Sequence, residues 1–258
     1  MYLEEILARH RSVASEDQRD LDQLIEAALR MPSPREFRQK LSVDSTSHLA
    51  VIAEIKRRSP SKGVLNPDLD PKQMASLYEL GGASCVSVLT DEEFFGGSRS
   101  DLMAARESIG LPVLRKDFTV SLNDVCDARL MGADCVLLIV AALSPSELSS
   151  MHRLADQLGL DVLVEVHDEP ELEIALDCGA RLVGVNQRDL KTFEVDRARA
   201  VRMAPLMPPN VVRVAESGVV DVVDASELRS AGYHAILVGE SLVRSSKPGE
   251  MLRSFLVE

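Results

Sequence analysis

The chain has 258 residues, 45% of them apolar, which is enough to bury a full core and suits one α/β domain of the size that barrels commonly reach. Its formal net charge of −12 argues against non-specific partners such as nucleic acid or an anionic membrane surface. The opening stretch MYLEEILARHRSV carries acids where a secretion signal needs basic and then apolar residues. The longest apolar run, Val136 to Leu143, is far too short to span a bilayer, so a cytoplasmic protein is expected.

Residues 1–48 precede the first strand and hold two helical stretches, LDQLIEAALRM and REFRQKL. They are expected to form an N-terminal helical extension capping one end of the domain, with 49–258 as its core. Beyond them, short β-branched runs near 49–55, 84–89, 112–116, 134–140, 161–166, 181–186, 210–216 and 234–239 alternate with amphipathic segments. A junction recurs in which Gly ends a helix and an apolar strand follows: LGGASCVSVL, MGADCVLLIV, CGARLVGVN and AGYHAILVG. The junctions lie about 50 residues apart, the length of two strand–helix units.

Strand–helix alternation on this scale implies a parallel sheet, and eight units predict closure into a (β/α)8 TIM barrel. An open doubly wound sheet is the main alternative. Neither G-x-G-x-x-G nor G-x-x-x-x-G-K-[ST] follows any strand, so that alternative lacks its usual nucleotide fingerprints. The four cysteines, Cys85, Cys126, Cys135 and Cys178, are scattered without a C-x-x-C, and Cys85 and Cys135 sit inside apolar runs. They read as small core residues in a reducing compartment.

Barrels carry their chemistry at the C-terminal ends of the strands. Here the first strand ends in Glu54 and Lys56, which alternation puts on one face with Ile55 on the other. The third ends in Lys116 and Phe118, the fifth contains Glu165, the sixth presents Asn186 and Arg188, and the seventh ends in Glu216, Ser217 and Gly218. A single charged residue at a strand end is usually a solvated loop residue. Two lysines facing several carboxylates in one cup are different, because they push one another's pKa values apart and give an acid and a base at one pH.

The stretches ESGV and VGES each place Ser and Gly where the chain is expected to turn into a helix, so backbone amides around Gly218, Gly239 and Glu240 are candidates for gripping a phosphate. Glu165 and His167 share a strand face and offer two metal ligands. The other histidines, His10, His48, His152 and His234, add no ligand spacing, so no metal is expected. Ser59 and Ser217 lack an identifiable base, which disfavours a serine nucleophile, while a lysine Schiff base stays open.

The stretches AEIKRRSPSKG, LTDEEFFGGS, LRKDF, LVEVHDE, GVNQRDL, AESGV and LVGESL occur in an order, and at strand ends, that resemble indole-3-glycerol phosphate synthase of tryptophan biosynthesis. The likeness covers essentially the whole chain. It departs at Gln187, where the family usually reads asparagine. The resemblance implies ring closure of 1-(2-carboxyphenylamino)-1-deoxyribulose 5-phosphate with loss of carbon dioxide and water, a reaction that requires no redox or metal cofactor.

It also implies roles. Lys116 resembles the family's acid for ring closure, Glu165 its base for dehydration, and Lys116 or Lys56 the acid that protonates the leaving hydroxyl. Lys56 also faces the substrate carboxylate, while Glu54, Asn186 and Glu216 orient hydroxyls and lysines, and Ser217 counts among the catalytic residues. Phe95, Phe118 and Leu137 would form the slot for the aromatic ring, Ser59 would help close the first loop, and the backbone amides of Ser217, Gly218, Gly239 and Glu240 would grip phosphate with Lys56 and Arg188 nearby. The implied partner is a phosphorylated small molecule. Docking of other tryptophan-pathway enzymes is not encoded in any motif. Two other readings stay open: another phosphate-binding barrel enzyme such as an aldose–ketose isomerase, and a non-catalytic barrel scaffold.

Overall fold

The structure, a computed structural model, describes residues 2–190 and 192–258. Among them, eight parallel strands close into a barrel: β1 (Ala50–Ile55), β2 (Cys85–Leu89), β3 (Val113–Lys116), β4 (Cys135–Ile139), β5 (Asp161–Val166), β6 (Leu182–Asn186), β7 (Val212–Glu216) and β8 (Ala235–Val238). β1 pairs with both β2 and β8, which closes the ring and leaves no sheet edge. Each strand lies within two residues of its expected position.

The strands are Val-, Ile- and Leu-rich on both faces because the interior and the helical ring bury both. Residues such as Ile52, Leu114, Leu138 and Leu163 are fully buried in one continuous core. Local signals agree with the fold. Ser121 with Asp124 and Ser144 with Glu147 form capping boxes that start the helices Leu122–Leu130 and Pro145–Gln157. The junction glycines end helices in the left-handed region, Gly82 at φ 95° and Gly132 at 85°, where a side chain is unfavourable.

The N-terminal extension does more than cap one end. It forms α1 (Tyr2–Glu16), α2 (Leu21–Leu29) and α3 (Phe37–Asp44). α1 lies at the mouth, where Leu3 and Ile6 line the central cavity and the His10 ring stands 3.0 Å from Asp91. α3 lies at the opposite end: the backbone N–H groups of Arg35 and Arg38 donate to Asp134 and Asp161, both at 2.8 Å, where β4 and β5 begin. The extension is a strap reaching both ends of the barrel. Its buried anchors, Ile6, Ala28 and Leu41, are spread over all three helices.

The cysteines accord with the core reading: Cys85, Cys126 and Cys135 are buried, Cys178 is half-buried, and all four are free thiols. Burial pushes all four thiols upward, which makes them poor nucleophiles. No described helix is long and apolar enough to cross a membrane.

Candidate active site

A cavity of about 560 Å³ opens at the C-terminal ends of the strands. Every candidate site residue from the sequence lines it. Strand register explains the convergence, since Asn186 and Leu237 stand level with Glu216 across β6, β7 and β8, and Ile139 stands level with Glu165 across β4 and β5. Glu54 and Lys56 face the cavity as an ion pair, and Ile55 between them is buried in the core.

Lys116 is the centre of the charged cup. Its Nζ donates to Glu165 Oε2 at 2.7 Å and to Glu216 Oε2 at 3.1 Å. Asn186 Nδ2 donates to the other oxygen of Glu165 at 3.0 Å, while its Oδ1 accepts from the Arg188 backbone N–H at 3.0 Å. Glu165 and Glu216 are each only 2% exposed, so their charges interact through little water.

Burial alone would push the lysine down, but Glu165, Glu216 and Glu54 more than offset it and raise Lys116 above its usual range. Burial would push Glu165 up, yet Lys116, His167 and Asn186 hold it well below the usual carboxylate range. Glu216 goes the other way. Burial raises it to about 7, with Glu165 and Glu54 adding to the rise and Lys116 opposing it. The cup therefore contains a protonated lysine, an ionised carboxylate and a second carboxyl near neutrality.

Two glycines make room for this arrangement. A Cβ on Gly184 would collide with Glu216 Oε1, and one on Gly239 would collide with Glu54 Oε1. The sequence assigns Gly239 to phosphate alone, so Gly239→Val would look like a pure binding change. The structure revises that, because the same substitution would displace Glu54.

The two Ser/Gly turns differ. Gly239 leads straight into the short helix Glu240–Arg244. After ESGV no helix begins until Val222, capped by Asp221; Ser217 and Gly218 instead both take left-handed conformations, at φ 65° and 79°. Gln187 Nε2 donates to Ser217 O at 2.8 Å and braces that turn. No helix N-terminus stands at that turn, so whatever polar groups it offers the cavity are its own backbone amides. The apolar side is formed by Leu137 with Phe95 and Phe118, whose ring centres are 6.3 Å apart.

Leu3 and Ile6, one helical turn apart on α1, escaped the sequence reading because their spacing marks only an apolar helix face, which any packed helix has. His10, Asp91 and Asp117 bring potential ligand atoms within 4.8 Å of one another, a grouping that no local spacing signalled. Its carboxylates are already engaged: Asp91 accepts from the N–H groups of Phe94 and Phe95, and Asp117 from Arg115 and Phe118 N–H. With the His10 ring 5.6 Å from that of Phe118, the cluster clasps α1 to the mouth.

Burying Glu216 has a cost that depends on pH. In the unfolded chain this carboxyl loses its proton near 4.5; in the fold it does so near 7, so stability falls as pH rises through that interval and the loss is complete above it. Glu216→Gln keeps the shape and removes the charge. Its Tm should rise relative to the parent at pH 8 and hardly change at pH 4.5, as thermal melts would report. An equal change at both pH values would contradict this account of Glu216.

A closed parallel barrel with one deep charged cavity at its strand ends is the architecture of a (β/α)8-barrel enzyme. The fold is similar to that of a thiamine phosphate pyrophosphorylase from Pyrococcus furiosus, with a TM-score of 0.60 and 16% identity over 85% of this chain and 96% of that one. That likeness concerns the fold alone. The chain belongs to the indole-3-glycerol phosphate synthase family, whose family model matches residues 3–255. Members are carbon–carbon lyases that release carbon dioxide, and they act in tryptophan biosynthesis.

Proposed function

We propose that the cup closes the indole ring of 1-(2-carboxyphenylamino)-1-deoxyribulose 5-phosphate by general acid–base catalysis, with Lys116 as the acid of ring closure and Glu165 as the base of dehydration. The observation that carries this reading is the 2.7 Å contact between them at the bottom of the cavity. Before reaction the proton is on the lysine and absent from the carboxylate, the starting states each role needs. A substrate carbonyl that takes Lys116 away from Glu165 weakens the pair. The lysine then becomes a better acid and the glutamate a better base.

In ring closure the aromatic carbon bonds to the carbonyl carbon while Lys116 protonates the carbonyl oxygen. Loss of carbon dioxide leaves its bonding electrons in the ring and restores aromaticity. Glu165 then takes a proton as the hydroxyl leaves as water, and that hydroxyl is protonated by a lysine. Lys56, paired with Glu54, faces the substrate carboxylate first and is released from it when carbon dioxide departs, which suits it to the second protonation. Asn186 and Glu216 orient the two partners of the pair.

Phe95, Phe118 and Leu137 hold the aromatic ring, Ser59 lies on the first loop at the rim, and the amides of Ser217, Gly218, Gly239 and Glu240 hold phosphate with Arg188 beside them. Indole fluorescence growing from the anilino ribulose phosphate with purified protein, in EDTA, tests the reading. No signal from folded protein would contradict it. An isomerase would instead consume an aldose phosphate, and a scaffold would turn over neither.

The phosphate assignment makes a separate prediction. Inorganic phosphate should compete with substrate, and Arg188→Met should raise KM roughly 10- to 100-fold, the worth of a charge-assisted hydrogen bond, with a smaller change in kcat. Inhibition by phosphate that is equal in parent and variant would remove Arg188 from the site.

A further inference from the structure

His167 follows β5 directly and lies behind Glu165, where it does not line the cavity. Its imidazole stands between two carboxylates. Nδ1 is 3.0 Å from Glu171 Oε2, and Nε2 is 3.4 Å from Glu165 Oε1, a contact between charges and not a hydrogen bond, so that buried nitrogen has no hydrogen-bond partner. Glu171, on the helix Glu169–Asp177, is itself fixed, since its Oε2 also accepts the His167 backbone N–H at 2.8 Å and its own N–H donates to Asp168 at 2.9 Å.

A neutral imidazole carries one proton and one lone pair, so it would turn a lone pair toward one of the two carboxylates. Only the imidazolium offers N–H to both. Burial works against that cation, but Glu165 and Glu171 outweigh it and raise His167 to about 9. The charged groups facing the ring are these two glutamates, and beyond Glu165 stand Lys116 and Glu216. Once substrate draws Lys116 from Glu165, Lys116 is no longer the near counter-charge of that carboxylate. The imidazolium remains on the side the substrate does not reach.

We propose that His167 is a positioning residue for the reaction: clamped by Glu171, it sets a positive charge against Oε1 of Glu165 and keeps that carboxylate unprotonated while Lys116 is engaged with substrate. The inference rests on Glu165 being the base of dehydration. It assigns His167 no contact with substrate and no proton transfer.

Single-turnover dehydration, followed by indole fluorescence against pH, tests it in the parent and in His167→Asn, Glu171→Gln and Glu165→Gln. Losing the nearby cation should move the acid limb of dehydration upward by roughly one pH unit or more in His167→Asn, the usual effect of one opposite charge at this range. Glu171→Gln should move it the same way by less. KM and the pH profile of carbon dioxide release should stay near those of the parent. A fall in rate that leaves the limb in place would reduce His167 to a structural residue. The imidazole also reports directly in the parent protein: by NMR His167 should titrate well above a free histidine and drop in Glu165→Gln, and an ordinary titration would overturn the proposal. If Glu165→Gln itself dehydrates like the parent, the base assignment falls and this inference with it. If Glu165→Gln is slow but the His167→Asn limb is unmoved, only this inference falls.

Discussion

Lys116→Met should lower kcat roughly 10²- to 10⁴-fold with only a modest change in KM, the range for loss of a general acid. Methionine keeps the unbranched stem to within one atom and removes the proton and charge. The geometry places the loss at the upper end of that range, because Nζ also neutralises two buried carboxylates at 2.7 and 3.1 Å. Without the lysine, Glu165 and Glu216 are two buried carboxylates with no cation between them, and one of them takes up a proton. The variant then lacks its acid and has a weakened base. Breaking a buried pair by removing one partner is also strongly destabilising, so a lower Tm is expected beside the lost turnover. A folded variant that keeps near-parental kcat would mean that Lys116 is not the acid.

Glu165→Gln should leave ring closure and loss of carbon dioxide running and slow dehydration, so that overall kcat falls by roughly 10²-fold or more. Glutamine keeps the shape of the side chain, and its one carbonyl oxygen can accept from Lys116 or from Asn186 but not from both, and it cannot take the proton. Lys116 keeps Glu216 as a partner, so the acid stays charged and in place. The opposite starting states of the two groups should give the parent a bell-shaped dependence of kcat on pH, and Glu165→Gln should lose the acid limb. A variant profile that keeps both limbs would point to another base.

The barrel was legible because its signals are local and repeated. Helix-ending glycines such as Gly82 and Gly132, and short β-branched runs after them, carry the strand–helix period directly in the chain. The cup was legible for a related reason: in a parallel barrel every strand end points to one rim, so charges at Glu54, Lys116, Glu165 and Glu216 must meet. What the sequence hid depends on approach between distant segments. The strap formed by α1 to α3 is anchored by contacts such as Arg38 N–H on Asp161, and nothing in REFRQKL marks which end of the barrel receives it. The clasp of His10 on Asp91 is of the same kind. Gly184 lies inside an apolar strand, where the positions of Glu216 and, less closely, Leu163 leave no room for a side chain. The turn at Ser217 and Gly218 differed from expectation because Asp221 caps the following helix later than the Ser/Gly pair suggests.

The division of labour between Lys116 and Glu165 is the centre of this account, and one measurement addresses it directly. Carbon dioxide release and indole fluorescence are followed together in a single turnover of Glu165→Gln. Carbon dioxide should appear at close to the parental rate while fluorescence lags well behind it, because the decarboxylated intermediate waits for a base. Two signals slowed together, or neither slowed, would contradict that division of labour.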